Sequence, residues 1–297
     1  MMAAGGSSPS RQPTGTALTV VLASAAPMDT PTRPVACTVA GSDSGGGAGI
    51  QADLLSFAAC GVHGATVVTA VTAQDTRTVH AVEPVSLEMV ARQIDAVALD
   101  LQPSAWKTGM LPTAAIVAVV AQRLEMHGAS NVVVDPVLRS TSGAALVADA
   151  ALAALRGALL PLALVVTPNW PEAAALTGLP VSTLDDVQAA ARAIAAYGPR
   201  YVVVTGGHGG SADAASVVDV VYDAQADSFA TLAHPRIAGG SERHGTGCSF
   251  SAALTAHLAR GAAVLDAAAL ASEFVAALLS RGPSGVGGGH TPLVHIG

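Results

Sequence analysis

Lysine is nearly absent from this chain. Lys107 is the only one in 297 residues, and Lys plus Arg total 14 against 21 Asp plus Glu, for a net charge of −7. These cations are thinly spread with no basic run, which argues against nucleic acid as a partner, because such binding needs clustered groups to neutralise phosphates. A small-molecule substrate is expected instead. The same scarcity limits how any anion could be held: by backbone N–H groups, helix N-termini, arginine or a metal ion. Cysteine is sparse too. Cys37, Cys60 and Cys248 are an odd number at wide spacing with no CxxC pair, which argues against a disulfide framework and a zinc site and fits a reducing cytoplasm. Charged residues are 12% of the chain and hydrophobic ones 51%, enough to bury a large core without metals or disulfides. No apolar stretch reads as a membrane span, since the long Ala/Val/Leu segments carry Arg, Asp, Glu or Pro within about 20 residues.

Residues 1–33, rich in Ala, Gly, Ser, Thr and Pro, read as a flexible extension ahead of one domain over 34–297. Within them Thr16–Ala26 superficially resembles a secretory leader, since it follows Arg11 and ends in small residues. The extension reading is preferred, with Met28 as an alternative start. Interior linkers and internal repeats are lacking. What is present is a rhythm of short β-branched runs and alanine-rich helical segments. Strands are expected over Val35–Ala40, Ala65–Val71, Ser104–Thr108, Asn131–Asp135, Leu162–Thr167 and Tyr201–Thr205. Helices are expected over Ile50–Ala59, Leu87–Leu99, Thr113–His127, Ala148–Leu159 and Leu184–Tyr197. This alternation predicts an α/β fold with a buried, mostly parallel sheet. Ser216–Tyr222 and Ser228–Leu232 have no helix between them and read as an antiparallel edge, followed by helices Thr246–Arg260 and Val264–Arg281.

In open α/β sheets ligands sit beyond the carboxyl ends of the strands, so the residues after each strand carry the functional signal. After the first comes a glycine-rich loop, Gly41-Ser42-Asp43-Ser44-Gly45-Gly46-Gly47-Ala48-Gly49-Ile50-Gln51. Gly47 to Ala52 matches the dinucleotide pattern G-x-G-x-x-A, with Asp75 near the ribose-binding distance, but about six residues separate Gly47 from the strand and the match is weak. The loop is expected to offer exposed N–H groups, the Asp43 carboxylate and the Gln51 amide, which can read ring nitrogens and amines. His244-Gly245-Thr246-Gly247-Cys248 precedes a long helical segment, and its glycines let successive N–H groups converge where the helix end adds partial positive charge. Cys248 in that first turn is expected to have a lowered pKa and a thiolate near neutral pH, able to act as a base. Asp135, Asn169, Glu172 and Thr205 stand at further strand ends. Asp135 with Glu172 could hold Mg²⁺. Asn169 and Glu172 equally fit a plain helix cap, and Lys107 a structural ion pair.

Together Ala40 to Asp43, Gly46 to Asp53, Lys107-Thr108-Gly109-Met110-Leu111, Val134-Asp135-Pro136-Val137, Thr167 to Ala173 and His244 to Cys248 resemble the hydroxymethylpyrimidine and phosphomethylpyrimidine kinases of the ribokinase-like superfamily. The motifs run in family order over some 260 residues, and Gly287 to His295 resembles the family's terminal segment. The resemblance implies a three-layer α/β/α fold, usually dimeric. It also implies transfer of the γ-phosphoryl of ATP to 4-amino-5-hydroxymethyl-2-methylpyrimidine and then to its monophosphate, in thiamine biosynthesis. Carried over, Gln51 would bind the pyrimidine, with Gly41, Asp43, Ala48, Met110 and Val137 lining or supporting the pocket. Gly245, Thr246 and Gly247 would form the anion hole, and Cys248 would stand where related sugar kinases have an aspartate base. Asp135, Asn169 and Glu172 would organise Mg²⁺ and the phosphates. Two departures stand out. Ser44-Gly45 replaces the family's Pro-Ser pair, and Thr205 stands where the family commonly has lysine, so a cation near the transferring phosphates is missing. A pyridoxal or pyridoxine kinase is the nearest alternative, and a non-catalytic pyrimidine-binding protein the alternative of another class.

Overall fold

The computed structural model describes residues 1–2, 33–138, 149–208, 215–240 and 243–295. The chain divides between Thr32 and Arg33. Apart from Met1 and Met2, the expected flexible extension up to Thr32, with its leader-like stretch Thr16–Ala26, lies outside the described residues.

The strands are β1 (Val35–Ser42), β2 (His63–Gln74), β3 (Val79–Pro84), β4 (Ala105–Thr108), β5 (Val132–Val134), β6 (Val165–Val166), β7 (Tyr201–Val204), β8 (Ser216–Asp223) and β9 (Ser228–Pro235). They form one sheet in the order β3-β2-β1-β4-β5-β6-β7-β8-β9. Neighbours from β2 through β7 run parallel, while β3 on one side and β8 and β9 on the other run antiparallel. The parallel strands are covered on both faces, which is why β5 reads as an unbroken Val132-Val133-Val134 rather than an alternating pattern.

The helices are α1 (Gly49–Ala59), α2 (Leu87–Asp100), α3 (Ala114–Met126), α4 (Asp149–Ala154), α5 (Trp170–Thr177), α6 (Leu184–Ala195), α7 (Thr246–Ala259) and α8 (Val264–Ser280). Phe57, Val133, Val203 and Leu254 belong to the core beneath α1, α7 and α8. Val39, Trp106, Leu124 and Ile194 belong to the opposite core, beneath α2 to α6. Residues of the central strands alternate between these two cores, giving the expected three layers. Helix starts follow side-chain chemistry: Thr113 Oγ1 accepts the Ile116 N–H at 3.2 Å, and Thr183 with Asp186 forms a capping box.

The antiparallel pair β8–β9 matches the expected edge. The sequence pattern missed β3, whose residues are largely exposed, and α5, which has only eight residues and a proline in its first turn. The parallel crossovers place the carboxyl ends of β1, β4, β5, β6 and β7 along one edge of the sheet. Asp43, Gly109, Asp135, Thr167 and Thr205 follow there.

Candidate active site

Beneath this edge lies a buried cluster of charges. Lys107 on β4 is fully buried and faces α1 and α7, where its Nζ lies 3.1 Å from Asp53 Oδ2 and 3.7 Å from Asp135 Oδ2. Asp53 also accepts the Thr38 hydroxyl at 2.6 Å, and Asp135 accepts the Ser251 hydroxyl at 2.8 Å. Burial raises both carboxyls above the usual range, while Lys107 pulls them down. Lysine burial would favour neutral amine, yet the two carboxylates hold Lys107 firmly cationic. Lys107 is thus the structural ion pair the sequence suggested, and it joins α1, β4 and the end of β5 directly under the site.

The glycine-rich loop is organised by Asp43. Its Oδ1 accepts the Gly45 N–H at 2.8 Å, and its Oδ2 accepts those of Gly47 at 3.0 Å and Ala48 at 2.9 Å. His244 Nε2 adds a contact to Oδ2 at 3.0 Å. Burial would raise the Asp43 carboxyl, but His244 and the loop amides outweigh it and hold it below the usual value. The exposed N–H groups expected in this loop are therefore turned inward, because a buried carboxylate needs those donors. Gln51, at the start of α1, is likewise engaged within the loop: its Oε1 accepts the Asp43 N–H at 2.9 Å, and its Nε2 donates to Ser42 Oγ at 2.8 Å. Reading a ring with this amide requires exchanging one of those bonds. Gly41 packs against the Met110 methyl, and the Met110 carbonyl accepts the Thr69 hydroxyl at 2.7 Å. Val137 lies with Gly109, Leu111, Asp135 and Pro136 along a small cleft beyond β4 and β5.

At the start of α7, Gly245 has φ +88 and supplies no side-chain cap, so the orphan amides of the first turn have no partner from that residue. A side chain at Gly245 would overlap the Gly47 carbonyl oxygen, so only glycine lets the two loops touch here. Gly247 is exposed, and Thr246 and Cys248 are half-buried. At Cys248 the expected thiolate near neutral pH is overturned. Burial, with Asp53 and Asp135 nearby, pushes the Cys248 thiol up to about 12 against the opposing pull of Lys107 and Gly49. Desolvation disfavours a charged sulfur more than a helix N-terminus favours it.

Asn169 and Glu172 form a reciprocal cap on α5: the Glu172 N–H donates to Asn169 Oδ1 at 2.9 Å and the Asn169 N–H to Glu172 Oε2 at 3.0 Å. Glu172 is more than a cap, since its carboxyl is pushed up to about 8 by burial and then by the like charge of Asp135. Two oxygen-bearing groups that repel one another suit a hard cation, which would relieve the repulsion. Among the described residues no group of three or more His, Cys, Asp or Glu could enclose a metal by itself. Thr205, half-buried, follows β7 and pairs with Asn169, its N–H donating to the Pro168 carbonyl at 2.9 Å. Next to it the Gly206 N–H donates to Asp219 Oδ1 on β8 at 2.8 Å.

Asp53, Ser251, Asp219 and His244 had no assigned role in the sequence reading. Asp53 and Ser251 carried a faint signal, as polar residues on the buried sides of helices otherwise rich in alanine. The partners of His244 and Asp219 lie on distant segments and leave no spacing to read.

The sequence profile of the phosphomethylpyrimidine kinase family matches residues 43–294. A hydroxymethylpyrimidine/phosphomethylpyrimidine kinase of Bacillus subtilis is 43% identical over 261 residues, covering 88% of this chain and 94% of that protein. Among solved structures, a pyridoxal kinase of Bacillus subtilis in complex with ADP superposes with a TM-score of 0.78 at 37% identity, over 89% of this chain and 98% of its own. A phosphomethylpyrimidine kinase from Clostridium difficile does so with a TM-score of 0.73 at 35% identity, over 83% and 100%. With its profile match, its relatives and its largely parallel three-layer sheet in agreement, the chain belongs to the phosphomethylpyrimidine kinase family of ribokinase-like enzymes.

Proposed function

We propose that this kinase transfers the γ-phosphoryl of ATP to the hydroxymethyl oxygen of 4-amino-5-hydroxymethyl-2-methylpyrimidine, and then a second phosphoryl to the resulting monophosphate. One observation carries the reading: the open, glycine-built start of α7 touches the Asp43 loop, and its Cys248 lies against the buried Lys107, Asp53 and Asp135 charges. Phosphoryl transfer is mainly positioning and charge neutralisation, and these parts provide both. The Gly245, Thr246 and Gly247 amides receive the charge developing on the transferred group. Asp135 and Glu172 would hold Mg²⁺, which supplies neutralisation of the phosphate oxygens. Asn169 and Thr205 line the nucleotide side, and the Asp43–Gln51 loop with Gly41, Ala48, Met110 and Val137 forms the acceptor side. Cys248 is the group that takes the acceptor hydroxyl's proton, which it can do only as the thiolate; with the thiol pushed up to about 12 that species is minor at neutrality and its share grows as pH rises.

Pyridoxal is the competing acceptor, favoured by the superposition on a pyridoxal kinase. ADP formation measured with hydroxymethylpyrimidine, its monophosphate, pyridoxal and pyridoxine separates the two. ADP release driven chiefly by the pyrimidines is expected. A pyridoxal kcat/KM tenfold above that of the pyrimidine, or ATP consumption independent of any acceptor, overturns the reading. A homodimer in the cytoplasm completes the proposal. The family resemblance supports the dimer, and three cysteines that remain free thiols support the compartment. No helix among the described residues is long and apolar enough to cross a membrane.

A further inference from the structure

Two segments about 200 residues apart in sequence, the Asp43 loop and the turn that opens α7, meet closely, and the His244 side chain lies at their junction. His244 is buried, with Nε2 3.0 Å from Asp43 Oδ2 and 3.0 Å from the Gln74 amide nitrogen at the end of β2. Its own N–H donates to the Thr291 carbonyl at 3.1 Å, which anchors its backbone on the C-terminal segment. Asp43 Oδ2 therefore gathers the Gly47 and Ala48 amides from its own loop and His244 from the other. A side chain at Gly47 would run into the His244 ring, and one at Gly245 into the Gly47 carbonyl, so the two backbones are in direct contact. One carboxylate oxygen thus ties the Gly47–Ala48 peptides to the residue immediately before the anion turn.

We infer that His244 is a positioning residue that couples the acceptor loop to the anion turn, so that binding of the acceptor and of the nucleotide phosphates is cooperative. The inference rests on the proposed function for its ligands. To receive a ring the Gln51 amide must exchange one of its bonds within the acceptor loop, to the Asp43 N–H or to Ser42 Oγ. Asp43, which touches both Gln51 and His244, carries that exchange toward Gly245. Each ligand then stabilises the loop arrangement the other needs, which is a coupling free energy and acts equally in both directions. A purely structural histidine would set stability and leave the coupling untouched.

The test measures pyrimidine affinity by calorimetry with and without a saturating non-hydrolysable ATP analogue, in the full-length protein and in its His244→Ala and His244→Gln variants. In the unsubstituted protein the analogue is expected to tighten pyrimidine binding by about fivefold or more, within the usual range of allosteric couplings. His244→Ala is expected to bring that factor to about one, and His244→Gln, which keeps a side-chain nitrogen donor, to restore part of it. Should His244→Ala fail to fold, Asp43→Asn removes the charged end of the same contact and is expected to weaken the coupling. Coupling retained in the Ala or Asn variant, or a factor below about two in the unsubstituted protein, overturns the inference. Absence of any pyrimidine binding would instead strike the proposed function, and the same comparison run with pyridoxal then decides the coupling separately.

Discussion

Replacing Lys107 with methionine keeps the side-chain length and removes the one cation among the buried charges. Its Nζ lies 3.1 Å from Asp53 and 3.7 Å from Asp135, with exposures of 0% for Lys107 and Asp53 and 7% for Asp135. Methionine therefore leaves two carboxylates facing each other in the interior, and Asp53 Oδ1 already has no partner. Breaking a buried pair by removing one member costs about 3–5 kcal/mol, a large part of a typical total of about 5–15 kcal/mol. For a domain of this size each kcal/mol moves Tm by roughly 2–4 °C, so a fall of about 6–20 °C is expected. Thermal unfolding followed by circular dichroism, with urea titration to confirm the free energy, measures it. Adding Asp53→Asn to Lys107→Met removes one of the stranded charges, and the double variant is expected to recover part of the loss. A Tm within about 2 °C of the unsubstituted protein, or a double variant no more stable than the single one, refutes the argument that Lys107 compensates these carboxylates.

Cys248→Ala is expected to lower turnover by about 10²-fold or more while pyrimidine binding survives, as for removal of a general base; near-normal turnover sinks the role. Because burial pushes the thiol up to about 12, the thiolate fraction grows about tenfold per pH unit through neutrality. Turnover should climb with pH in parallel, and a flat profile between about pH 6 and 9 would mean that the sulfur only orients the hydroxyl. Glu172→Gln keeps an oxygen able to accept the Asn169 N–H, so the α5 cap and Tm should be little changed. The Mg²⁺ concentration for half-maximal activity should rise about tenfold, since one charged ligand is lost; an unchanged requirement reduces Glu172 to its capping role. Thr205→Lys restores a cation on the nucleotide side and should raise turnover of the monophosphate, and an equal rate in a coupled assay removes that idea.

Much of the scaffold was legible in the sequence, because burial on both sheet faces forces unbroken runs such as Val132-Val133-Val134 that alternate with alanine-rich helical segments. The exposed β3 escaped because an edge strand need not alternate, and of the short α5 only the Asn169–Glu172 cap was legible because eight residues carry little periodicity. The strand ends pointed to Asp43, Asp135 and Glu172, since ligands of parallel sheets sit beyond strand ends whatever their chemistry, and the glycine turn before α7 pointed to Cys248. Their states were another matter. A glycine-rich loop suggests free amides, and a cysteine in a first helical turn suggests a thiolate. Both inferences are local, whereas hydrogen-bond satisfaction and desolvation depend on everything packed around the group. Only the tertiary structure turned the loop amides onto Asp43, placed Lys107 between Asp53 and Asp135, and raised the Cys248 thiol. It also brought His244 to Asp43, because a contact between residues some 200 apart is set by how the layers close and leaves no mark in the spacing of either segment.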